Sequence, residues 1–256
     1  MLRFASAASE LPASVTPAMA SRTVRTASER GVHEGRPFEL WLPNGDAEPP
    51  WPGIVILHGA GSRKENHSDF ARAASSYGWA ALAFDQRGHG ASEDEMSPAA
   101  VADVPRMARL LASVDGVDAG RVCARGSSMG GFMAIHSAAG SDAIAGAIAI
   151  CPAGERDLRR GLRRGELEMR VDATALEAWL SEHDLRDAVA LLGAKPLLLI
   201  HARGDEQIPF TWSEELYEHA AEPRKLIVMP GGHHRSVQHD AEIHGVALRW
   251  MQRALG

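Results

Sequence analysis

Short runs in which almost every position is apolar recur along this chain, at 38–42, 53–57, 80–84, 121–124, 144–150, 196–201 and 225–229. A strand with one face in water alternates apolar and polar residues, whereas a strand covered on both faces is apolar throughout. Between these runs, the segments 66–77, 98–113, 129–139, 212–221 and 238–254 show the spacing of helices that could supply such cover. Alternation of strand and helix builds a mostly parallel sheet through right-handed crossovers, so the expected fold class is α/β, with helices on both faces of a central sheet. The run at 38–42 precedes the alternation and is expected to lie antiparallel to the rest.

One connection breaks the rhythm. Positions 151–193 span far more chain than a loop between strand and helix needs, which predicts a small helical lid inserted at about 152–192. Leu176, Trp179 and Leu180 fall on one helical face, and Asp172 or Thr174 can cap that helix, with Thr174 and Glu177 at capping-box spacing. Arg156, Arg159, Arg160, Arg163, Arg164 and Arg170 are interleaved with acids, the pattern of a solvated, ion-paired helix; recognition of an anionic substrate is the alternative.

At 256 residues the chain suits one domain, expected at 31–256, preceded by an Ala-, Ser-, Thr- and Arg-rich N-terminal extension at 1–30 with a second candidate start at Met19. A net charge of −6 gives no general attraction to nucleic acid or anionic membranes. The two cysteines, Cys123 and Cys151, sit in apolar runs and read as buried thiols rather than a disulfide. No apolar run is long enough to span a membrane, and the first 26 residues lack the continuous apolar core of a secretory signal, so a soluble cytoplasmic location is expected. Nothing in composition fixes the oligomeric state.

The chemistry is concentrated at Gly126-Ser127-Ser128-Met129-Gly130, a G-x-S-x-G elbow between a strand run and a small-residue helix. The turn strains the serine backbone, and side chains two positions away on either side would crowd it. Ser128 is therefore the candidate nucleophile. A serine hydroxyl needs a base, and the base needs a group that fixes its tautomer. Asp205 follows the strand run at 196–201 and is the candidate acid, with Glu206 as its substitute. His233 and His234 follow the last run on a glycine-rich loop, and either can be the base.

Oxyanion stabilisation needs backbone N–H donors. The expected donors are Met129, at the start of the helix after the serine, and Ala60, in the His58-Gly59-Ala60-Gly61 loop, where His58 reads as structural. His233, His234, His239 and His244 do not repeat the i, i+4 spacing of a helical metal site, so no metal and no cofactor is expected. His239 and Asp240 read as the start of the last helix or as packing beneath the base loop. Trp179 and Trp212 are candidates to line an acyl pocket, the other tryptophans being packing.

From about residue 35 onward the chain resembles the α/β-hydrolase fold family. The resemblance rests on the elbow, on the 57–65 segment beginning Leu57-His58-Gly59-Ala60-Gly61, and on Asp85-Gln86-Arg87-Gly88-His89-Gly90-Ala91-Ser92, similar to the family's D-x-R-G-x-G-x-S turn. The elbow region is most similar to the dienelactone-hydrolase-like and serine-aminopeptidase-like branches. Asp205-Glu206-Gln207-Ile208-Pro209 resembles the family's D-x-x-V-P acid setting, and its P-G-x-x base setting selects His234 over His233. Dienelactone hydrolases proper use a cysteine and dehalogenases an aspartate at the elbow, so their substrates do not transfer to Ser128.

The expected function is a serine hydrolase acting on small carboxylic esters through an acyl-enzyme, with Ser128, His234 and Asp205 as triad. A peptidase or acyltransferase would use the same residues; a hydrolase-fold ligand-binding protein without turnover is the reading from a different class.

Overall fold

The computed structural model describes residues 27–43 and 47–256. The extension expected at 1–30 lies outside the described residues up to position 26. Among the described residues eight strands form one sheet: β1 Glu29–His33, β2 Arg36–Trp41, β3 Trp51–Leu57, β4 Ala80–Phe84, β5 Val117–Ser127, β6 Ala147–Ile150, β7 Leu197–Ala202 and β8 Arg224–Met229. Their order is β1-β2-β4-β3-β5-β6-β7-β8. β2 runs antiparallel to β4, as the sequence led one to expect, and every pairing from β4 to β8 is parallel.

β1 is absent from the hydrophobic pattern. Its five residues are Glu, Arg, Gly, Val and His, largely exposed, and it pairs antiparallel with β2 alone at the sheet edge. An edge strand with little buried surface carries no apolar signal.

Eight α-helices among the described residues cover the sheet: α1 Ser68–Ser76, α2 Ala100–Ala112, α3 Met129–Ala139, α4 Glu155–Arg164, α5 Ala173–Glu182, α6 Leu185–Leu191, α7 Thr211–His219 and α8 Ala241–Leu255. Successive strand residues feed two separate cores, which is why the strands are apolar throughout. Val55, Leu57, Leu82, Leu197 and Leu199 face a core shared with α2, α3, α6 and α7. Ile54, Ile56, Ile148, Leu198 and Ile200 face a second, closed by Phe70 and Ala74 of α1 and by Leu248 and Met251 of α8.

The insertion between β6 and β7 carries α4, α5 and α6. Asp172, not Thr174, caps α5 by accepting from the Ala175 N–H at 3.0 Å. Glu177, expected in a capping box, instead pairs with Arg159 at 3.0 Å and with Arg163. Arg160 pairs with Asp157, Arg164 with Glu166, and Arg170 donates to the carbonyls of Ser92 and Glu93, so these arginines are engaged within the protein. The strap after α4 crosses the 85–96 turn by a single parallel bridge, Met96 to Val171. Gly88 permits that crossing, since a Cβ there would stand 2.2 Å from the Arg170 carbonyl oxygen.

Candidate active site

β5 delivers Ser128 into the turn that opens α3, with φ 54° and ψ −121°, a conformation that L residues other than glycine adopt only under constraint. The flanking glycines are required by contact. A Cβ at Gly126 would lie 1.9 Å from the Gly130 carbonyl oxygen, and one at Gly130 would lie 2.5 Å from that of Leu57. The turn is held by Ser128 N–H on Ile150 O at 2.9 Å and by Ser128 O accepting from Gly131 at 2.9 Å and Ala153 at 3.2 Å.

β7 ends in the loop that carries Asp205. Its carboxylate accepts from the Gln207 and Ile208 N–H groups at 2.8 and 2.9 Å through Oδ1, and Oδ2 lies 2.7 Å from His234 Nδ1. Burial pushes this carboxyl up, but hydrogen bonds from His201, His234 and the two backbone N–H groups outweigh it and hold Asp205 well below the usual carboxylate range. An ionised carboxylate only accepts, so His234 Nδ1 carries the proton and Nε2 is left as the acceptor.

His233 and His234 part company in the loop after β8. His234 is buried and bound to Asp205; His233 is exposed, its N–H donating to Ser236 Oγ at 2.8 Å. Glu206 serves the loop backbone instead of the ring, its carboxylate accepting from the His234 N–H at 3.2 Å. His239 bonds Asp69 at 2.8 Å and stacks on His67, and Asp240 caps α8 through the Glu242 and Ile243 N–H groups. His234, His239 and His244 thus each have a different partner, His244 donating to Gln238 O at 2.8 Å.

Ser128 and His234 line one cavity of about 460 Å³, together with Gly59, Ala60, Gln207, Gln238 and the insertion residues Glu166, Leu167 and Glu168. No hydrogen bond joins Ser128 Oγ to the ring among the described residues; the two meet across this cavity. Such bonds are often long in unliganded sites and tighten with substrate. Ala60 borders the same space, and Gly59 lies over the serine so closely that a Cβ there would be 3.3 Å from Ser128 Cβ. Met129 is the first residue of α3, where backbone N–H groups have no partner inside the helix.

The loop bearing Ala60 is fixed from behind. His58 is buried; its Nε2 accepts from the Gln86 N–H at 3.1 Å, so Nδ1 donates to Gly59 O at 2.8 Å, and burial with the neighbouring His89 lowers its pKa to about 4. A ring so held stays neutral and structural. Asp85 binds the loop through the Lys64 N–H and Nζ, both at 2.9 Å, and its own turn through the Ala91 N–H at 2.9 Å.

Cys123 and Cys151 are free, buried, and pushed up in pKa by that burial. Cys151, Asp205 and His234 are the group among the described residues whose possible ligand atoms lie within 4.8 Å of one another, and the carboxylate–imidazole hydrogen bond already occupies two of the three. Trp212, expected to line an acyl pocket, borders neither the cavity shared by Ser128 and His234 nor the apolar space beside it; it packs on Gly154 below the Arg186 guanidinium. Trp179 does line an apolar space, beneath α5. No helix among the described residues is long and apolar enough to cross a membrane.

Residues 54–193 match the model of a family described as "Alpha/beta hydrolase family". The "Uncharacterized protein YfhR" of Escherichia coli O157:H7 is 27% identical over 192 residues, covering 71% of this chain and 62% of that protein, so less than two thirds of that relative's length is spanned. The "Uncharacterized protein Rv2307c" of Mycobacterium tuberculosis is 26% identical over 208 residues, 77% of this chain and 68% of its own. Among solved structures, the alpha/beta hydrolase GrgF from Penicillium sp. sh18 superposes with a TM-score of 0.74 at 16% identity, covering 89% of this chain and 98% of that one. Est1E from Butyrivibrio proteoclasticus gives 0.71 at 19%, over 90% and 99%. An acetyl xylan esterase from Paenibacillus sp. R4 gives 0.66 at 21%, over 85% and 79%. At these identities the structures establish the fold.

Proposed function

The chain belongs to the alpha/beta hydrolase family, and from that premise we propose that it is a serine hydrolase cleaving carboxylic esters. The observation that carries the reading is the 2.7 Å His234 Nδ1–Asp205 Oδ2 bond, which turns Nε2 of a buried imidazole into an acceptor beside a serine held in the strained elbow conformation. Ser128 Oγ attacks the ester carbonyl as its proton passes to His234 Nε2. Asp205 holds the ring and stabilises its charge. The N–H groups of Ala60 and Met129 receive the oxyanion, each contributing about 3 kcal/mol of transition-state stabilisation. The proton then goes to the departing alcohol, leaving the acyl group on Ser128, and a water activated by the same imidazole releases the acid. The esterases named among the solved structures support the ester as substrate, and the −6 charge and the absence of a long apolar helix among the described residues fit a soluble enzyme.

The test is hydrolysis of p-nitrophenyl acetate and butanoate by the wild type and Ser128→Ala, with a fluorophosphonate label located by peptide mass spectrometry. Turnover lost in the variant and label on Ser128 are expected. Turnover unchanged in Ser128→Ala, or binding without any turnover, sinks the reading.

A further inference from the structure

The catalytic cavity is a poor receptor for an apolar acyl group. Apart from Ala60 and Leu167, its lining is glycine, Ser, Asn, Gln, His, Arg and Glu. Directly beside it lies a space of opposite character, lined only by apolar side chains. Its floor is Met129, Phe132 and Met133 of α3, and its roof is Leu158 of α4 with Leu176 and Trp179 of α5. At about 10 Å³ it holds at most one water-sized volume, too little for an acyl chain as it stands.

Leu167 borders both spaces and is therefore the partition between them. It sits mid-way along a strap tied at each end: Glu166 N–H bonds Gly161 O at 2.9 Å, and Arg170 N–H bonds Gly88 O at 3.1 Å. Its isobutyl group rests on the bare α4 surface of Gly161, where a Cβ would stand 2.8 Å from Leu167 Cδ2. Half-buried and held by no polar contact of its side chain, it can turn aside without breaking the strap. Four methionines, Met96, Met129, Met133 and Met169, line the apolar space; unbranched thioether chains repack more readily than the branched side chains around them. Met129 ties the two spaces together, its side chain in the apolar lining and its backbone next to the nucleophile.

We propose that this space is the acyl-binding site, opened when Leu167 swings off the partition, and that the substrates are esters of unbranched aliphatic acids of medium length. The acyl chain runs from Ser128 past Met129 between α3 and α5, while the polar cavity receives the alcohol. The proposal rests on the serine-hydrolase reading for its chemistry, but the site binds an acid whether or not the ester is cleaved.

Two measurements therefore test it separately. The first is the kcat/KM ratio of p-nitrophenyl hexanoate to acetate. Leu167→Ala, which removes the partition, is expected to raise this ratio about tenfold, and Leu176→Trp, which fills the space from its roof, to lower it about tenfold, the worth of roughly one or two buried methylenes. The second is calorimetric titration with octanoate, which requires no turnover: binding should tighten in Leu167→Ala and weaken in Leu176→Trp. Ratios and octanoate affinities that stay at the wild-type level in Leu167→Ala overturn the site, even if Leu176→Trp is too unstable to assay. Ester turnover that survives Ser128→Ala, with octanoate binding still responsive to position 167, overturns the serine-hydrolase reading and leaves the acyl site standing.

Discussion

His201 Nε2 lies 3.3 Å from Asp205 Oδ2, the same oxygen that bonds His234 Nδ1. The His201 ring is fully buried, with Nε2 also 3.0 Å from Ile208 O and Nδ1 2.7 Å from Ser213 Oγ. Both oxygens facing Nε2 only accept, so Nε2 carries the proton and the Ser213 hydroxyl donates to Nδ1. The proposed catalytic carboxylate is held between two imidazoles, one facing the cavity and one in the core.

Removing the core donor should change the pH at which the site works. His201→Phe leaves Asp205 with one fewer hydrogen bond, a more basic carboxylate, and a tighter hold on the protonated form of His234. The acid limb of the kcat/KM–pH profile should move upward. His201→Gln, which can return an N–H to the carboxylate, should move it back toward the wild type. A limb that stays in place in His201→Phe would show that Asp205 does not feel the second ring.

Asp205→Asn separates the chemical from the structural work of this side chain. Its carbonyl oxygen still accepts from the Gln207 and Ile208 N–H groups, so the loop should persist, while His234 is driven to the wrong tautomer and kcat should fall by about 10⁴-fold. The stability effect has a definite sign. A carboxyl held below its unfolded value stabilises the fold fully above about pH 5, and that contribution is lost as pH falls through the folded pKa. The Asn variant lacks it, so its urea-unfolding free energy should decline less than that of the wild type between about pH 5 and pH 2.

The paired histidines make a sharp contrast. His234→Ala should remove nearly all ester turnover, about 10³-fold or more, because the variant loses the proposed base. His233→Ala changes an exposed ring with no bond to Ser128, Asp205 or the His234 ring and should stay within about twofold, as surface substitutions do. Steady-state kinetics on the two single variants decide it, and equal losses would place the base elsewhere.

Much of this was legible in the sequence because local rules impose it. Strands covered on both faces must be apolar throughout, as Ile54–Leu57 and Leu197–Ile200 are, and an elbow as tight as that at Ser128 demands Gly126 and Gly130. What escaped notice has no local signature. β1 is a polar edge strand, and the choice of Asp172 over Thr174 as helix cap depends on where α5 starts when it packs. The His201–Asp205 contact depends on a histidine inside an apolar strand pointing along the sheet toward its own following loop. Trp212 is a candidate pocket residue by its type alone, yet α7 sends its ring against Gly154.

The elbow glycines should be intolerant of a single methyl. Gly126→Ala drives a Cβ into the backbone of Gly130 and Gly131, at 1.9 and 2.6 Å, and a backbone atom cannot swing away as a side chain can. A loss of about 3 kcal/mol or more is expected, against a far smaller one for Gly120→Ala, whose nearest neighbour is a side-chain oxygen at 3.4 Å. Thermal unfolding of the two variants measures the difference.

A buried cation ties the strand before Ser128 to the loop of His234, and cutting that tie should slow the proposed chemistry more than it weakens binding. Arg125, three residues before Ser128 and fully buried, donates through Nη2 to Gln238 O at 2.9 Å, lies 3.0 Å from His67 Nδ1, and stacks on Phe70 at 4.6 Å. Ser127 Oγ binds the Gln238 side chain as well. Gln238 is four residues beyond His234, so these contacts set the height of the base loop over the elbow across more than a hundred residues of chain. Burial lowers the guanidinium pKa to about 10, still above neutral pH, so Arg125 keeps its charge. Arg125→Met should leave His67 and Gln238 short of a donor, costing about 1–3 kcal/mol of stability, and let the loop drift. Misplacing a catalytic group by about 1 Å can cost about 10²-fold in rate, so kcat should drop on that scale while KM for a short ester changes little. Arg125→Lys, which keeps the charge but not the planar fork, should fall between the two. A Met variant that folds and turns over at the wild-type rate would mean that the loop holds its position without the arginine.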